Sequence, residues 1–209
     1  MVRIAAMMLC LASLAAGLAV RADPEQTAAA TSTAVTPASP QDSARREQAS
    51  RSYFTDLPLV TGNGKQVRFY SDVLKDRIVV INFVFTHCQD ACPLMTQKLR
   101  TAREMLDEGM RSKVYFVSIS IDPERDTPAQ LKAFAEKHKV DDANWVFLTG
   151  DRTNIEQIVK KLGQYTQDVE DHSTLVLAGN VRTQHWMKIP PMVPAWGIAE
   201  KLKLLVQDS

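Results

Sequence analysis

Two runs of β-branched and aromatic residues constrain the fold of this 209-residue chain more than any other feature. Residues 77–85 (RIVVINFVF) and 114–121 (VYFVSISI) carry apolar side chains on both faces of an extended strand. A strand of this kind is covered from both sides, as in a parallel sheet with helices packed on each face. The two runs therefore predict an α/β fold built around a buried sheet.

Helical patterns lie between and after these strands. Residues 92–109 repeat apolar side chains at spacings of four, three and four, which predicts a helix with one buried stripe. The stripe consists of Met95, Leu99, Ala102 and Leu106. Thr127 is an N-cap followed by proline, and Asp151 caps a further helix that Gly163 ends. A last amphipathic helix is predicted over 194–206.

Glycine and asparagine mark two predicted hairpin turns, at 62–64 and at 179–180. A short strand is predicted at 145–148. The resulting order is a hairpin, three strand–helix units, an antiparallel pair of strands and a final helix. With right-handed crossovers, this order predicts a thioredoxin-like three-layer sandwich with an added N-terminal β-hairpin.

The first 22 residues have the pattern of a secretory signal peptide. Arg3 precedes an uncharged apolar run at 4–20, and the small residues Val20 and Ala22 suit cleavage after residue 22. A retained membrane anchor is the alternative, because the apolar run approaches the length of a membrane span. The sequence therefore predicts an exported chain that is periplasmic, or anchored facing the periplasm.

The segment 23–51 separates this signal from the folded domain. It is polar and proline-containing, and it has no aromatic residue. Such a segment buries too little apolar surface to offset the entropy of ordering it, so a flexible linker is predicted. The folded domain is then 52–209, which is long enough for one well-filled core.

Charge and cysteine content narrow the function. The chain has 25 basic and 24 acidic residues, whereas nucleic-acid binding depends on concentrated positive charge, so no nucleic-acid partner is predicted. Three cysteines are too few for a disulfide scaffold. Because Cys10 lies in the predicted signal, the exported domain keeps only Cys88 and Cys92. One close pair indicates chemistry or a local bridge, not a staple across a long loop.

The two cysteines lie where the first buried strand joins the following helix, in the segment 86–93 (THCQDACP). Ligands collect at the carboxyl ends of strands in α/β sheets. A helix N-terminus lowers the pKa of a cysteine, so thiolates are expected. At positions i and i+4 both sulfurs can point at one place, where they form a disulfide or bind a soft ion such as Cu(I).

His172 is the candidate third ligand. It directly precedes the predicted strand that contains TLVL, and in a thioredoxin-like sheet this loop lies beside the cysteine loop. Thioredoxins place a cis-proline there, whereas this chain has no proline between Gly163 and Pro190. A histidine at that position favours a metal site over disulfide exchange alone.

Other polar residues are weaker candidates. His87 adjoins Cys88 but is expected to point away, and His138 and His185 are expected to be solvated and structural, respectively. Asp122 and Asp126 follow the second buried strand. They either orient a ligand or partner near the cysteines, or serve only the loop and the helix cap.

Three motifs in order, FVFTHCQDACP, SISIDPERDTP and DHSTLVL, resemble the Sco/SenC family of copper-handling proteins. The resemblance covers about residues 53–209. It implies a thioredoxin-like extracytoplasmic domain that binds copper, as Cu(I) or also Cu(II), through Cys88, Cys92 and His172. It further implies delivery of copper to the binuclear centre of cytochrome c oxidase, or reduction of the cysteines of that centre.

Two functions follow for the same residues. The leading interpretation is a metallochaperone that passes copper to a receiving protein, with a cytochrome c oxidase subunit as the expected recipient. The alternative is a thiol–disulfide oxidoreductase in which the redox pair Cys88 and Cys92 is catalytic and the more exposed Cys88 attacks first. A peroxiredoxin ranks lowest, because the expected proline and threonine pattern before Cys88 is missing.

Overall fold

The structure, a computed structural model, describes residues 39–168 and 172–208. The predicted signal at 1–22 and the first part of the predicted linker lie outside the described residues. Within them lie seven strands, six α-helices and one π-helix. In chain order these are α1 (Pro40–Phe54), β1 (Pro58–Thr61), β2 (Gln66–Arg68), the π-helix (Phe69–Leu74), β3 (Ile78–Val84), α2 (Ala91–Glu104), α3 (Glu108–Arg111), β4 (Val114–Ser120), α4 (Pro128–Lys137), β5 (Trp145–Thr149), α5 (Arg152–Lys161), β6 (Val176–Asn180), β7 (His185–Ile189) and α6 (Ala195–Gln207).

All seven strands form one sheet in the order β2-β1-β5-β4-β3-β6-β7. The three central strands β3, β4 and β5 are parallel, while β6 runs antiparallel to β3 and β7 antiparallel to β6. At the other edge, β1 and β2 form a hairpin that pairs through β1 with β5. The carboxyl ends of β3 and β4 therefore meet the beginning of β6 at one end of the sheet.

Two apolar cores lie on opposite faces of this sheet. The first packs α2, α4 and α6 against side chains such as Val80 and Phe116. The second packs α1, the π-helix and α5 against the alternate residues, such as Val79 and Val117. All seven residues of β3 are buried, because both faces are covered by helices. The thioredoxin-like three-layer sandwich predicted from the sequence is thus confirmed.

Local sequence signals explain where several helices begin. Thr127, the predicted N-cap, accepts a hydrogen bond from the Gln130 N–H, and the Gln130 side chain accepts from the Thr127 N–H, so both halves of a capping box are present. Asp151 caps α5 through the N–H groups of Thr153 and Asn154. Gly163 follows α5 with a positive φ of 69°, a conformation that glycine adopts without strain.

The linker prediction is wrong for its last part. Residues 40–51 are helical, since α1 begins at Pro40 behind the N-cap Ser39 and continues to Phe54. Few apolar residues mark this helix, so its sequence resembles a linker. It is held instead by one buried ring, because Phe54 lies on Trp186, and by an ion pair between Glu47 and Lys75.

The second hairpin is present, but its turn is displaced from the predicted site. Gly179 and Asn180 lie inside β6, paired with β7, and the turn occupies residues 181–184. The glycine serves close packing here, because the indole ring of Trp186 lies against the position where a Cβ would stand. None of the helices within residues 39–168 and 172–208 combines the length and the hydropathy of a membrane span.

Replacing Gly179 by alanine is expected to lower the free energy of unfolding by about 2 kcal/mol, because the new methyl group overlaps the Trp186 ring. Urea denaturation measures this change. Gly62→Ala is the matched control, since its Cβ meets nothing closer than 3.4 Å. Equal loss of stability in the two variants would contradict the packing role of Gly179.

Candidate metal centre

The cysteine loop turns tightly between β3 and α2. The Cys88 N–H donates to the carbonyl of Phe85 at 3.1 Å, which folds the chain back after the strand. The Cys92 N–H then donates to the Cys88 sulfur at 3.3 Å. Because α2 begins at Ala91, this N–H belongs to the first turn, where helix donors have no partner within the helix. The Cys88 sulfur therefore lies over the start of the helix, as the spacing predicts.

His172 reaches this loop from a distant part of the chain. Its Nε2 lies 3.7 Å from the Cys92 sulfur, across a separation of 80 residues. The ring also packs edge-on against Phe85, with centroids 5.3 Å apart. The predicted proximity of His172 to the cysteine loop is therefore present in the fold, through Cys92. The predicted role of these residues as metal ligands stays a prediction.

The donor atoms are adjacent without forming a closed ligand cage. Among the described residues, no group of three or more His, Cys, Asp or Glu side chains is arranged to hold a metal ion as it stands. Cys88 and Cys92 are both free thiols. Thiolate and imidazole bind an ion such as zinc at about 2.3 and 2.0 Å, so donors 3.7 Å apart can share one ion of that size. The half-buried Cys88 sulfur, which accepts the Cys92 N–H, is the third donor of the predicted set.

The two cysteines differ in burial, since Cys88 is half-buried and Cys92 is buried. Cys92 is 1% exposed, and this burial raises the pKa of its thiol well above the ordinary value. The neighbouring Cys88 and the charge of Asp126 act in the same direction. The expectation of a thiolate is therefore wrong for Cys92, because loss of solvent outweighs the helix N-terminus. A metal that binds this sulfur must displace its proton.

Asp126 holds the cysteine loop through hydrogen bonds to Thr86. Its carboxylate is fully buried and accepts hydrogen bonds from the Thr86 N–H at 3.0 Å and from the Thr86 hydroxyl at 2.6 Å. It also accepts from the Ser120 hydroxyl at 2.6 Å. Of the two interpretations of the acidic pair, the loop role is therefore the one that Asp126 fills. Asp122 pairs with the neighbouring Arg125.

Each of the remaining histidines contacts a residue other than the two cysteines. His87 is exposed and contacts the Thr86 hydroxyl, and His185 pairs with Asp208 at 2.5 Å. The prediction that His138 is solvated is wrong, because its side chain is half-buried. It packs on Phe134 with centroids 4.3 Å apart, and burial lowers its pKa.

Two supporting residues were missed in the sequence. The Phe85 ring packs edge-on against His172, and the Thr86 hydroxyl donates a hydrogen bond to Asp126. Phe85 is the last apolar residue of the first buried run, directly before the cysteine segment, and this position was the available signal. Nothing in the sequence near Thr86 marks its partner 40 residues away.

Comparison with known proteins finds a family that matches most of this chain. The SCO1/SenC family model matches residues 45–206. The SCO1 protein homolog of Bacillus subtilis is 37% identical over 100 residues, which is 47% of this chain and 50% of that protein. The chain spans about half the length of the curated relatives it matches.

Solved structures agree in fold. ScoI of Bradyrhizobium japonicum with copper bound is 28% identical, with a TM-score of 0.55 over 71% of this chain and 96% of that one. BsSco, described as a member of the Sco family of cytochrome c oxidase assembly proteins with a disulfide switch, is 24% identical. Its TM-score is 0.61, over 75% of this chain and 94% of that one, and at this identity it shows the fold alone.

The raised pKa of Cys92 predicts unequal alkylation by iodoacetamide. Cys88 is expected to react first, because it is the more exposed thiol. The Cys92 rate is expected to keep rising with pH beyond 9, since only the thiolate reacts and an ordinary thiol levels off near its pKa of 9.0. Peptide mass spectrometry resolves the two sites. In guanidinium the Cys92 rate should level off near pH 9, and the same levelling in the folded protein would contradict the assignment.

Removing the anchor is expected to destabilise the loop and the domain together. Asp126→Ala leaves the Thr86 N–H and the hydroxyls of Thr86 and Ser120 without their acceptor, which should cost about 3 kcal/mol of unfolding free energy. Asp122→Ala breaks a pair with the largely exposed Arg125 and should cost about 1 kcal/mol or less. Chemical denaturation of both variants tests the difference. Similar losses of unfolding free energy in the two variants would contradict the stabilising role of the Asp126 hydrogen bonds.

Proposed function

Because this chain belongs to the SCO1/SenC family, we propose that it is a metallochaperone that binds Cu(I) through Cys88, Cys92 and His172 and passes it to a copper protein. The observation that carries the proposal is the contact between the Cys92 sulfur and the His172 ring nitrogen. This contact joins a soft donor to an imidazole across 80 residues of sequence. A half-buried imidazole at this distance from a thiol can share one soft ion with it.

The donor chemistry suits Cu(I). Thiolates select soft ions, and imidazole is a common copper ligand. The copper-bound structure of a 28% identical ScoI supports the same metal here. Cu(II) as a second bound form belongs to the proposal as well, and spectroscopy of the oxidised metal-loaded protein tests it.

The unequal burial of the donors suits transfer. Cys92 is buried and His172 is half-buried, so these two ligands hold the ion from the protein side. Cys88 is the more accessible sulfur and is the ligand that an incoming thiolate of the recipient replaces first. Ligand-by-ligand exchange of this kind keeps the ion bound at every step.

The recipient in this proposal is the binuclear copper centre of a cytochrome c oxidase subunit. Family membership supports this, since BsSco is described as belonging to a family of oxidase assembly proteins. Export to the periplasm, by a cleaved signal at 1–22 or with that segment retained as an anchor, also belongs to the proposal. Mass spectrometry of the protein recovered from the periplasm and from membranes distinguishes the two forms.

A second candidate function uses the same sulfurs. The Cys92 N–H contacts the Cys88 sulfur, and the two thiols differ in exposure, which suits a thiol–disulfide oxidoreductase with Cys88 as the attacking residue. In that case two electrons and two protons leave the dithiol as a disulfide of the partner is reduced. His172 would then have no direct role.

His172→Ala distinguishes the two functions. The variant is expected to weaken Cu(I) binding more than about 100-fold, since it removes a ligand, whereas the Cys88–Cys92 disulfide should still form. Competition with a Cu(I) chelator measures the affinity of the reduced protein, and thiol titration measures the disulfide.

The matched control is His87→Ala, which removes an exposed imidazole one residue from Cys88. It should leave the Cu(I) affinity unchanged. An unchanged affinity in His172→Ala would reject the three-ligand site and favour the oxidoreductase.

A further inference from the structure

Copper transfer by ligand exchange requires direct contact between the two proteins. An acceptor sulfur must come within bonding distance of the ion beside Cys88, so the acceptor has to cover the surface around this residue. A standard interface buries about 800 Å² on each partner, which corresponds to a patch about 30 Å across. The residues that surround Cys88 at its end of the sheet therefore fall inside the contact area.

The topology gathers several segments at this end. β7 runs parallel to β3, because each is antiparallel to β6. Both strands therefore end here, and the helices that follow them, α2 and α6, both begin here. The segment 190–194, between β7 and α6, lies at the same end.

This end of the molecule exposes large apolar side chains. Leu94 in the first turn of α2 is 66% exposed, Met192 in the segment 190–194 is 76% exposed, and Trp196 in the first turn of α6 is 65% exposed. Among the described residues these are the three most exposed large apolar side chains. A partner that covers these side chains removes apolar surface from water, which favours binding.

Contacts of neighbouring residues support the backbone that carries these side chains. The Lys98 ammonium, one turn after Leu94, donates to the Pro191 carbonyl at 2.6 Å and so ties α2 to the segment that carries Met192. Val193 packs on the same core as Cys88, and a Cβ on Gly197 would stand 3.0 Å from the Val193 side chain. The apolar side chains are therefore presented on a fixed support.

We propose that Leu94, Met192 and Trp196 form a docking patch for the copper acceptor, which is a protein that carries its own thiolate ligands next to an apolar surface. This inference rests on the proposed metallochaperone function and extends it to the partner. Tryptophan and methionine are enriched at interface cores, where a few such side chains carry most of the binding energy. The patch gives the acceptor affinity without adding a ligand to the copper site.

The test measures Cu(I) transfer from the full folded chain by stopped-flow spectroscopy. The protein acceptor is the apo form of a soluble oxidase domain that carries the binuclear copper site. A small Cu(I) chelator serves as an acceptor that needs no docking. Leu94→Gln/Trp196→Gln is expected to slow transfer to the protein acceptor about tenfold or more, with transfer to the chelator unchanged.

The chain offers a matched control at the other end of the same helices. Met105→Gln/Leu204→Gln makes the same kind of change at exposed apolar positions. Leu204 lies about 12 Å along α6 from Trp196, and Met105 lies about 16 Å from Leu94 in the direction of α2. This variant should transfer copper to both acceptors at the rate of the unsubstituted protein.

Met192 needs a separate comparison, because a thioether can also bind Cu(I). Met192→Leu keeps the apolar surface and should retain fast transfer, whereas Met192→Gln should slow it. Equal slowing in both would assign Met192 to the metal and overturn its docking role.

Several outcomes would overturn the docking patch. One is an unchanged rate of transfer to the protein acceptor in Leu94→Gln/Trp196→Gln. Another is an equal slowing with the chelator, which would show that the substitutions disturb the metal site. If the unsubstituted protein binds Cu(I) tightly but does not pass it to the oxidase domain, both this patch and that recipient are rejected. Failure to bind Cu(I) at all would reject the proposed function itself.

Discussion

The pairing of β6 with β3 is the constraint on which the candidate site depends. β3 is buried along its whole length, with β4 parallel on one side and β6 antiparallel on the other. Because β6 is antiparallel, its beginning lies at the end of β3. The residue that leads into β6 is thereby brought to the cysteine loop, so a contact over 80 residues follows from strand direction.

Burial at this end of the sheet gives the two sulfurs different properties. Cys92 faces the core below α2 and keeps its proton, while Cys88 lies at the rim of the loop. A buried donor beside an imidazole can retain an ion, and an accessible donor can be replaced by a partner. The same asymmetry suits stepwise disulfide exchange, which is why His172, and not the cysteine pair, separates the two functions.

The support for this site comes from buried polar contacts as well as from apolar packing. The Asp126 carboxylate joins the end of β4 to the residue that leads into the cysteine loop. A buried carboxylate is costly unless its oxygens are well supplied with donors, and here they receive three hydrogen bonds. The hydrogen-bonded cysteine loop and the proposed docking patch lie at the same end of the sheet.

The sequence alone determined the features that depend on neighbouring residues. The buried strands β3 and β4, the apolar stripe of α2, and the caps Thr127 and Asp151 all follow from short-range patterns. The motif order was also enough to identify the family. These features are predictable because strand burial, helix periodicity and capping are each encoded within a few residues.

Only the tertiary structure decided those features that depend on contacts between residues far apart in the sequence. The helix over residues 40–51 is stabilised by Phe54 on Trp186, and that same ring packs against Gly179, where it leaves no room for a Cβ. The protonation of Cys92 reverses the expectation from its helix position, since the surrounding core removes water from the thiol. Burial and ring packing are set by segments far apart in sequence, so no local pattern at Cys92 or Gly179 reports them.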